Sequence, residues 1–180
     1  MNEIDDAEDA ALATLGPLFL QALAHREAGD VDKAEDLLRD VIRREPRVGE
    51  PHLELARVLL DTDRVAEAEE HAREALSHLT TTGVWIEDVP ENTVLALAHA
   101  VLAECLRRRA DEDDLIFGDP DDFNAVIREA QAHFQAAHEL DPSDEYASYH
   151  AFFMGLPTPG APGEGADDVV GDPLLPPDPT

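Results

Sequence analysis

One lysine and one cysteine stand among 180 residues, and aromatic side chains make up only 5%. The lone Cys105 excludes an intrachain disulfide and a thiolate metal cage, and its apolar helical surroundings mark it as a buried structural thiol. With so few aromatics, an apolar content of 43% rests mainly on Ala and Leu. That favours close-packed helices over a β-sandwich. Positive charge is equally scarce. Lys33 and 12 Arg face 41 acidic residues, for a formal charge of −28. Such a field keeps a chain soluble and repels DNA, RNA and anionic membranes, so neither nucleic acid nor a membrane is an expected partner. Two sources of the acidity carry equal weight, a salt-rich cytoplasm and a GC-rich genome that favours Ala, Arg, Asp, Gly and Pro. No apolar run approaches membrane-spanning length. The acidic opening MNEIDDAEDA lacks the basic start and apolar core of a signal peptide, so a cytoplasmic location is expected.

What is present is periodic. Gly29–Pro46, GDVDKAEDLLRDVIRREP, reads as a turn, a helix and a proline stop. Asp30 is the expected N-cap. Ala34, Leu37, Leu38, Val41 and Ile42 recur at three- and four-residue steps and give one apolar stripe. Pro17 suits the first turn of a preceding helix that runs to about Ala28. A second unit begins near Glu50, with helices EPHLELARVLLD and RVAEAEEHAREALSHL about a turn at Thr62–Asp63. Ala22 corresponds to Ala56, Gly29 to Asp63, Ala34 to Ala68, Leu38 to Ala72 and Val41 to Ala75, every pair separated by the same step. Two helices in a fixed period of about 34 residues mark a helical solenoid.

On these residues the chain resembles the tetratricopeptide repeat (TPR) family. There a small residue of the first helix meets a small residue of the second, and Ala22 with Ala34 and Ala56 with Ala68 occupy those places. Pro46 occupies the place of the proline that closes a unit. The chain departs from the family pattern at the large first-helix aromatic, replaced by Leu18 and His52, and at Thr80, where a second closing proline would stand. The resemblance implies an all-α, right-handed solenoid of helical hairpins, with about three units and a C-terminal closing helix.

The third unit is interrupted. Leu97–Leu102 echoes Leu55–Leu60 at an offset of 42, and the loop Thr80–Pro90 supplies the extra eight residues. Ala130, Phe134, Ala137 and Pro142 match the second-helix pattern at 62 residues from the second unit, which places about 20 residues inside the third hairpin. Ser143 is expected to cap a closing helix rich in aromatics, as a solenoid's last unit requires. The organisation read from the sequence is an acidic lead-in 1–15 and a helical domain 16–154. Its units are 16–46, 49–80 and 91–142, with an acidic insertion at 111–122 and a closing helix at 143–154. An acidic Pro/Gly-rich tail, 155–180, is expected to be disordered.

Chemistry finds little support. His71 and His78 lie two helical turns apart, His133 and His138 diverge around their helix, and no HExxH spacing occurs, so no metal site is expected. The acidic stretches from Asp111 and Asp119 lack the alternating ligands and final Glu of a calcium loop. There is no phosphate-cradling glycine loop and no nucleophile elbow, so neither a cofactor nor catalysis is expected. Binding remains. Family members capture peptides on a concave face lined by first helices. The residues flanking the core face there are Phe19, Leu23 and Arg26 in the first helix, Leu53, Arg57 and Leu60 in the second, and Leu95, His99 and Leu102 in the third. Family members that clamp the acidic end of heat-shock chaperones use Lys, Asn and Arg at places held here by Phe19, Leu23, Glu54 and Leu95. The expected partner is therefore an apolar or basic peptide or helix of another protein, held by an adaptor or a small client chaperone. In size and acidity the chain resembles the three-repeat secretion chaperones. The alternative is a structural homo-oligomer that buries the same face.

Overall fold

The computed structural model describes residues 3–86 and 88–154. Those residues form eight helices and no strand: α1 (Glu3–Glu27), α2 (Val31–Arg44), α3 (Gly49–Asp61), α4 (Val65–Thr82), α5 (Glu91–Ala110), the single turn α6 (Asp113–Ile116), α7 (Pro120–Leu140) and α8 (Glu145–Met154). The all-α hairpin solenoid read from the sequence is the observed fold. The 155–180 tail lies outside the described residues. Among the described residues no helix is long and apolar enough to cross a membrane.

The hairpins are α1–α2, α3–α4 and α5–α7, and α8 closes the stack against α7. At the centre of the first two hairpins Ala22, Ala34, Ala56 and Ala68 are fully buried, because a helix pair approaches closely only where both partners are small. Both turns are built alike. Gly29 (φ +77°) and Asp63 (φ +59°) take the left-handed conformation that ends a helix. Each is followed by an amide that donates back to the last turn, Asp30 N–H to the His25 carbonyl and Arg64 N–H to that of Leu59. The repeat read in the sequence is thus also a repeat of main-chain geometry.

Three local expectations are corrected. Pro17 lies inside α1 rather than in its first turn; the missing N–H removes one helical bond, and the helix runs through it. Asp30 stands at the N-cap, but its carboxylate makes no capping bond. It turns instead to His25 Nδ1 at 3.2 Å and to the Lys33 ammonium at 3.4 Å, a charged partner that competes with a neutral amide. Asp144, not Ser143, caps α8. Its Oδ1 accepts the amides of Tyr146 and Ala147, while the Ser143 hydroxyl is spent on Asp141.

The register of the third hairpin is also corrected. In the second hairpin His52 Nδ1 lies 3.0 Å from His71 Nδ1, and in the third His99 Nδ1 lies 2.8 Å from His133 Nδ1. His133 stands to His71 as Ala130 stands to Ala68, so His99 is the counterpart of His52, at an offset of 47 rather than 42. Leu102-Ala103-Glu104-Cys105-Leu106 then stands where Leu55-Ala56-Arg57-Val58-Leu59 stands, and Ala103 is fully buried like Ala56. More of the inserted chain therefore precedes His99, and less lies inside the hairpin, than the sequence pattern suggested. The insertions form the segment after α4, an added first turn of α5, the turn α6 and the first turns of α7, where Asp119 accepts the amide of Asp121 as N-cap.

Candidate interaction surface on the first helices

First helices pack on each other directly, α1 on α3 and α3 on α5, whereas the second helices α2, α4 and α7 are joined chiefly by long side chains. Arg64 reaches Glu35 at 2.8 Å, Arg39 reaches Glu67 at 3.2 Å and Arg73 reaches Glu129 at 2.6 Å. The first-helix side is therefore the shorter, inner side of the stack.

On α1, residues 16, 19, 20, 23 and 26 fall on one stripe because they repeat at three- and four-residue steps. Leu20 is 63% exposed and Phe19 only 2%; Leu23 and Arg26 are half-buried. Arg26 Nη1 donates to Glu54 Oε2 of α3 at 2.9 Å, and Arg57 Nη1 donates to Glu54 Oε1 at 2.7 Å. One carboxylate thus ties α1 to α3 and holds two guanidinium groups on the inner side.

Glu104 is the equivalent hub of α5. It accepts from Arg107, from Arg108 and from the Tyr146 hydroxyl of α8. Burial works against its charge, but these donors outweigh it and bring the carboxyl down to about 2. Burial, and next the bond to Glu104, pushes the Tyr146 phenol up to about 12. The inner surface thus pairs carboxylates with arginines.

The nine residues expected at the groove fall into three groups. Leu23, Arg26, Arg57 and Leu95 are partly exposed, Leu95 on the added turn of α5. Phe19, Leu53, Leu60 and Leu102 are in the core and present almost no surface. His99 points away from the inner side, to His133 of α7, beside a cleft of about 390 Å³ that also involves Arg73, Leu76, Ser77 and Thr80 of α4. Burial, followed by the neighbouring His133, lowers its pKa. In the corrected register the α5 positions on the inner side are Ala100, Glu104 and Arg107. Sequence reasoning missed Glu104, Arg107, Leu20 and Tyr146. The copy of Leu55–Leu59 at Leu102–Leu106 was the signal that could have found the first two.

Few groups could react. Burial pushes the Cys105 thiol up to about 12, so it is no nucleophile at neutral pH. Among the described residues no group of three or more His, Cys, Asp or Glu converges on a common point.

Stacked helical hairpins whose first helices pack on one another define a helical-repeat solenoid. The tetratricopeptide repeat family model matches residues 19–81, the first two hairpins. No curated protein matches it. Among solved structures, the TPR domain of OM64 from Arabidopsis is similar with a TM-score of 0.60 at 12% identity, over 81% of this chain and 97% of that one. The first TPR domain of Spaghetti (RPAP3), bound to the HSP90 peptide SRMEEVD, is similar with a TM-score of 0.57 at 13% identity, over 78% of this chain and 89% of that one. At these identities the likeness is one of fold.

Proposed function

We propose that this chain is a non-catalytic scaffold or adaptor that holds a segment of another protein against its first-helix face. The observation that supports this most is the inner stripe Leu20–Leu23–Arg26 of α1, continued by Arg57 of α3. It sets exposed apolar side chains beside guanidinium groups already fixed by Glu54. Groups held in place before binding lose little side-chain freedom when a partner arrives. One similar domain was solved with an acidic HSP90 peptide, but the places of the carboxylate clamp hold Phe19, Leu23, Glu54 and, in the corrected register, Ala100. None of these can grip a C-terminal carboxylate. An apolar segment with basic flanks suits the surface better: the stripe seats the apolar part, and the net charge of −28 steers the flanks. A cytoplasmic adaptor or a chaperone for an aggregation-prone client would work in this way.

Site-specific photocrosslinking in cells tests the proposal. A photoreactive residue at Leu20 or Arg57 should capture one partner, and one at Glu70 or Ala132 on the second helices should not. Equal capture from both faces would overturn it. Crosslinks between copies, with a size that rises with concentration, would instead support the homo-oligomer that buries this face.

A further inference from the structure

The segment 83–86, which follows α4, returns to the first-helix face. Gly83, in the left-handed conformation at φ +87°, ends α4 and turns the chain. The Trp85 ring then lies against Phe19, with ring centroids 5.7 Å apart, and faces Gly16, where an added Cβ would be 3.9 Å from its edge. Gly16 and Phe19 are the first turn of the stripe that continues through Leu20, Leu23 and Arg26. The main chain is held as well. Glu50, only 3% exposed on α3, accepts the N–H groups of Trp85 and Ile86 on one oxygen, the latter at 3.0 Å. Its other oxygen is buried and has no hydrogen-bond partner among the described residues.

A large aromatic ring seated on an apolar stripe, with two successive main-chain amides read by a buried carboxylate, is how a peptide would be bound. We propose that 83–86 is a built-in ligand. It occupies an aromatic-anchor subsite made of Gly16, Phe19 and Glu50 at one end of the inner face, and a partner must displace it. This rests on the first-helix face being the binding surface. The site takes an extended segment of another protein with a Trp or comparable aromatic side chain, whose own amide and the next are both free. Proline directly after the aromatic is thereby excluded. Among the described residues Glu50 has an acceptor to spare, which a partner that brings one more donor can use against the internal segment.

The chain has a single tryptophan, so Trp85→Ala removes all tryptophan emission and at the same time empties the aromatic place of the subsite. The probe is a blocked peptide of residues 81–86, Thr-Thr-Gly-Val-Trp-Ile, whose own tryptophan is then the only reporter. Its emission should shift to the blue, saturably, on titration with the Trp85→Ala chain. With the subsite seated more than ~90% of the time in the native chain, apparent affinity there should be at least about tenfold weaker, read by anisotropy of a dye-labelled peptide. A peptide carrying Ile86→Pro should bind more weakly, as should the Trp85→Ala, Glu50→Gln chain. No blue shift with a Trp85→Ala chain that circular dichroism reports as helical, or equal binding by the native chain, would overturn the proposal. If Trp85→Ala does not fold, the native chain labelled with 5-fluorotryptophan decides the matter. Its fluorine resonance should move to a solvent-exposed position when the unlabelled peptide is added, and an unmoved resonance at millimolar peptide would overturn the proposal. Photocrosslinking at Leu20 and Arg57 does not depend on the segment, so a failed subsite and a failed binding face give different results.

Discussion

Replacing His52 by Gln should flatten the acid side of the stability curve. His52 is 6% exposed. Its Nε2 lies 3.2 Å from the Pro46 carbonyl, which can only accept, so Nε2 carries the proton and Nδ1 accepts from His71. A second proton on His52 must enter a buried ring. Burial, and next the neighbouring His71, lowers its pKa from 6.5 to about 4, with Glu74 opposing in part and His78 adding to the fall. Because the folded value is depressed, the unfolded chain takes up the proton first as pH falls below 6.5. Stability is complete above that pH, declines between 6.5 and 4, and loses nothing more from this group below 4. The shift corresponds to about 3 kcal/mol. The whole chain also loses negative charge over this window, which relieves self-repulsion and masks the effect in the native protein alone. The difference between native and His52→Gln chains cancels that background. Urea unfolding followed by far-ultraviolet circular dichroism should show the two midpoints converging by ~1–2 M between pH 7 and pH 4, taking a urea slope near 2 kcal/mol per molar. A midpoint difference that stays constant over that range would refute the neutral-ring assignment.

A double-mutant cycle of His99→Gln and His133→Gln should give a coupling of about 0.5–1.5 kcal/mol; zero coupling would mean that α5 sits in the register with Ala98, not Ala103, opposite Ala130. Gly49→Ala should cost about 1–3 kcal/mol in a thermal melt. The added Cβ would lie 2.6 Å from Leu79 Cγ and 3.0 Å from the Ala75 carbonyl oxygen, so an unchanged melting temperature would refute that close approach. Glu104→Gln should cost about 2–3 kcal/mol at pH 7, since the native carboxyl is depressed from 4.5 to about 2. That stability is present above pH 4.5 and is lost as pH falls through 2, so the native and variant urea midpoints should meet near pH 2. A gap that persists there would locate the effect in packing instead.

The residues that a repeat needs in order to fold were legible, because they are set by local geometry. Ala22, Ala34, Ala56 and Ala68, and later Ala130, Phe134 and Ala137, are all fully buried. The left-handed turn at Gly29 recurs one period later, at Asp63. The register of α5 was not legible, for a physical reason. Between Val94 and Leu106 most three- and four-residue steps join two apolar residues, so a stripe can be drawn at several phases, and the tertiary contact of His99 with His133 selects one. Phe19 and Leu53 read as the flank of a helix, which is what they are within their own helices. Trp85 covers Phe19 from beyond the end of the second hairpin, and helical periodicity carries no information about that. Asp30 and Ser143 were assigned caps from residue type. A carboxylate with a charged neighbour, or a hydroxyl with a nearby carboxylate, has a better offer than a backbone amide.

The scarcity of lysine also becomes intelligible. Arg64 binds Glu67 through Nε and Nη2, at 2.9 and 2.7 Å, and at the same time binds both oxygens of Glu35 through Nη1. One side chain joins α2 to α4 across the gap that opens on the outer side of a curved stack. Arg39 bridges the same two helices, and Arg73 bridges α4 to α7. A lysine brings one charged nitrogen at the end of a flexible stem and cannot grip two carboxylates with fixed geometry. Since the first helices touch through their bodies and the second helices through these arms, the arms limit how far the stack can open or close around a ligand. Arg64→Lys should therefore keep the helical content while speeding amide hydrogen exchange in α2 and in the first turns of α4. The buried amides of α3 should be unaffected. Exchange that rises equally in all three helices would show that the residue supports the whole domain rather than one inter-repeat angle, and unchanged exchange throughout would show that the outer bridges are ornamental.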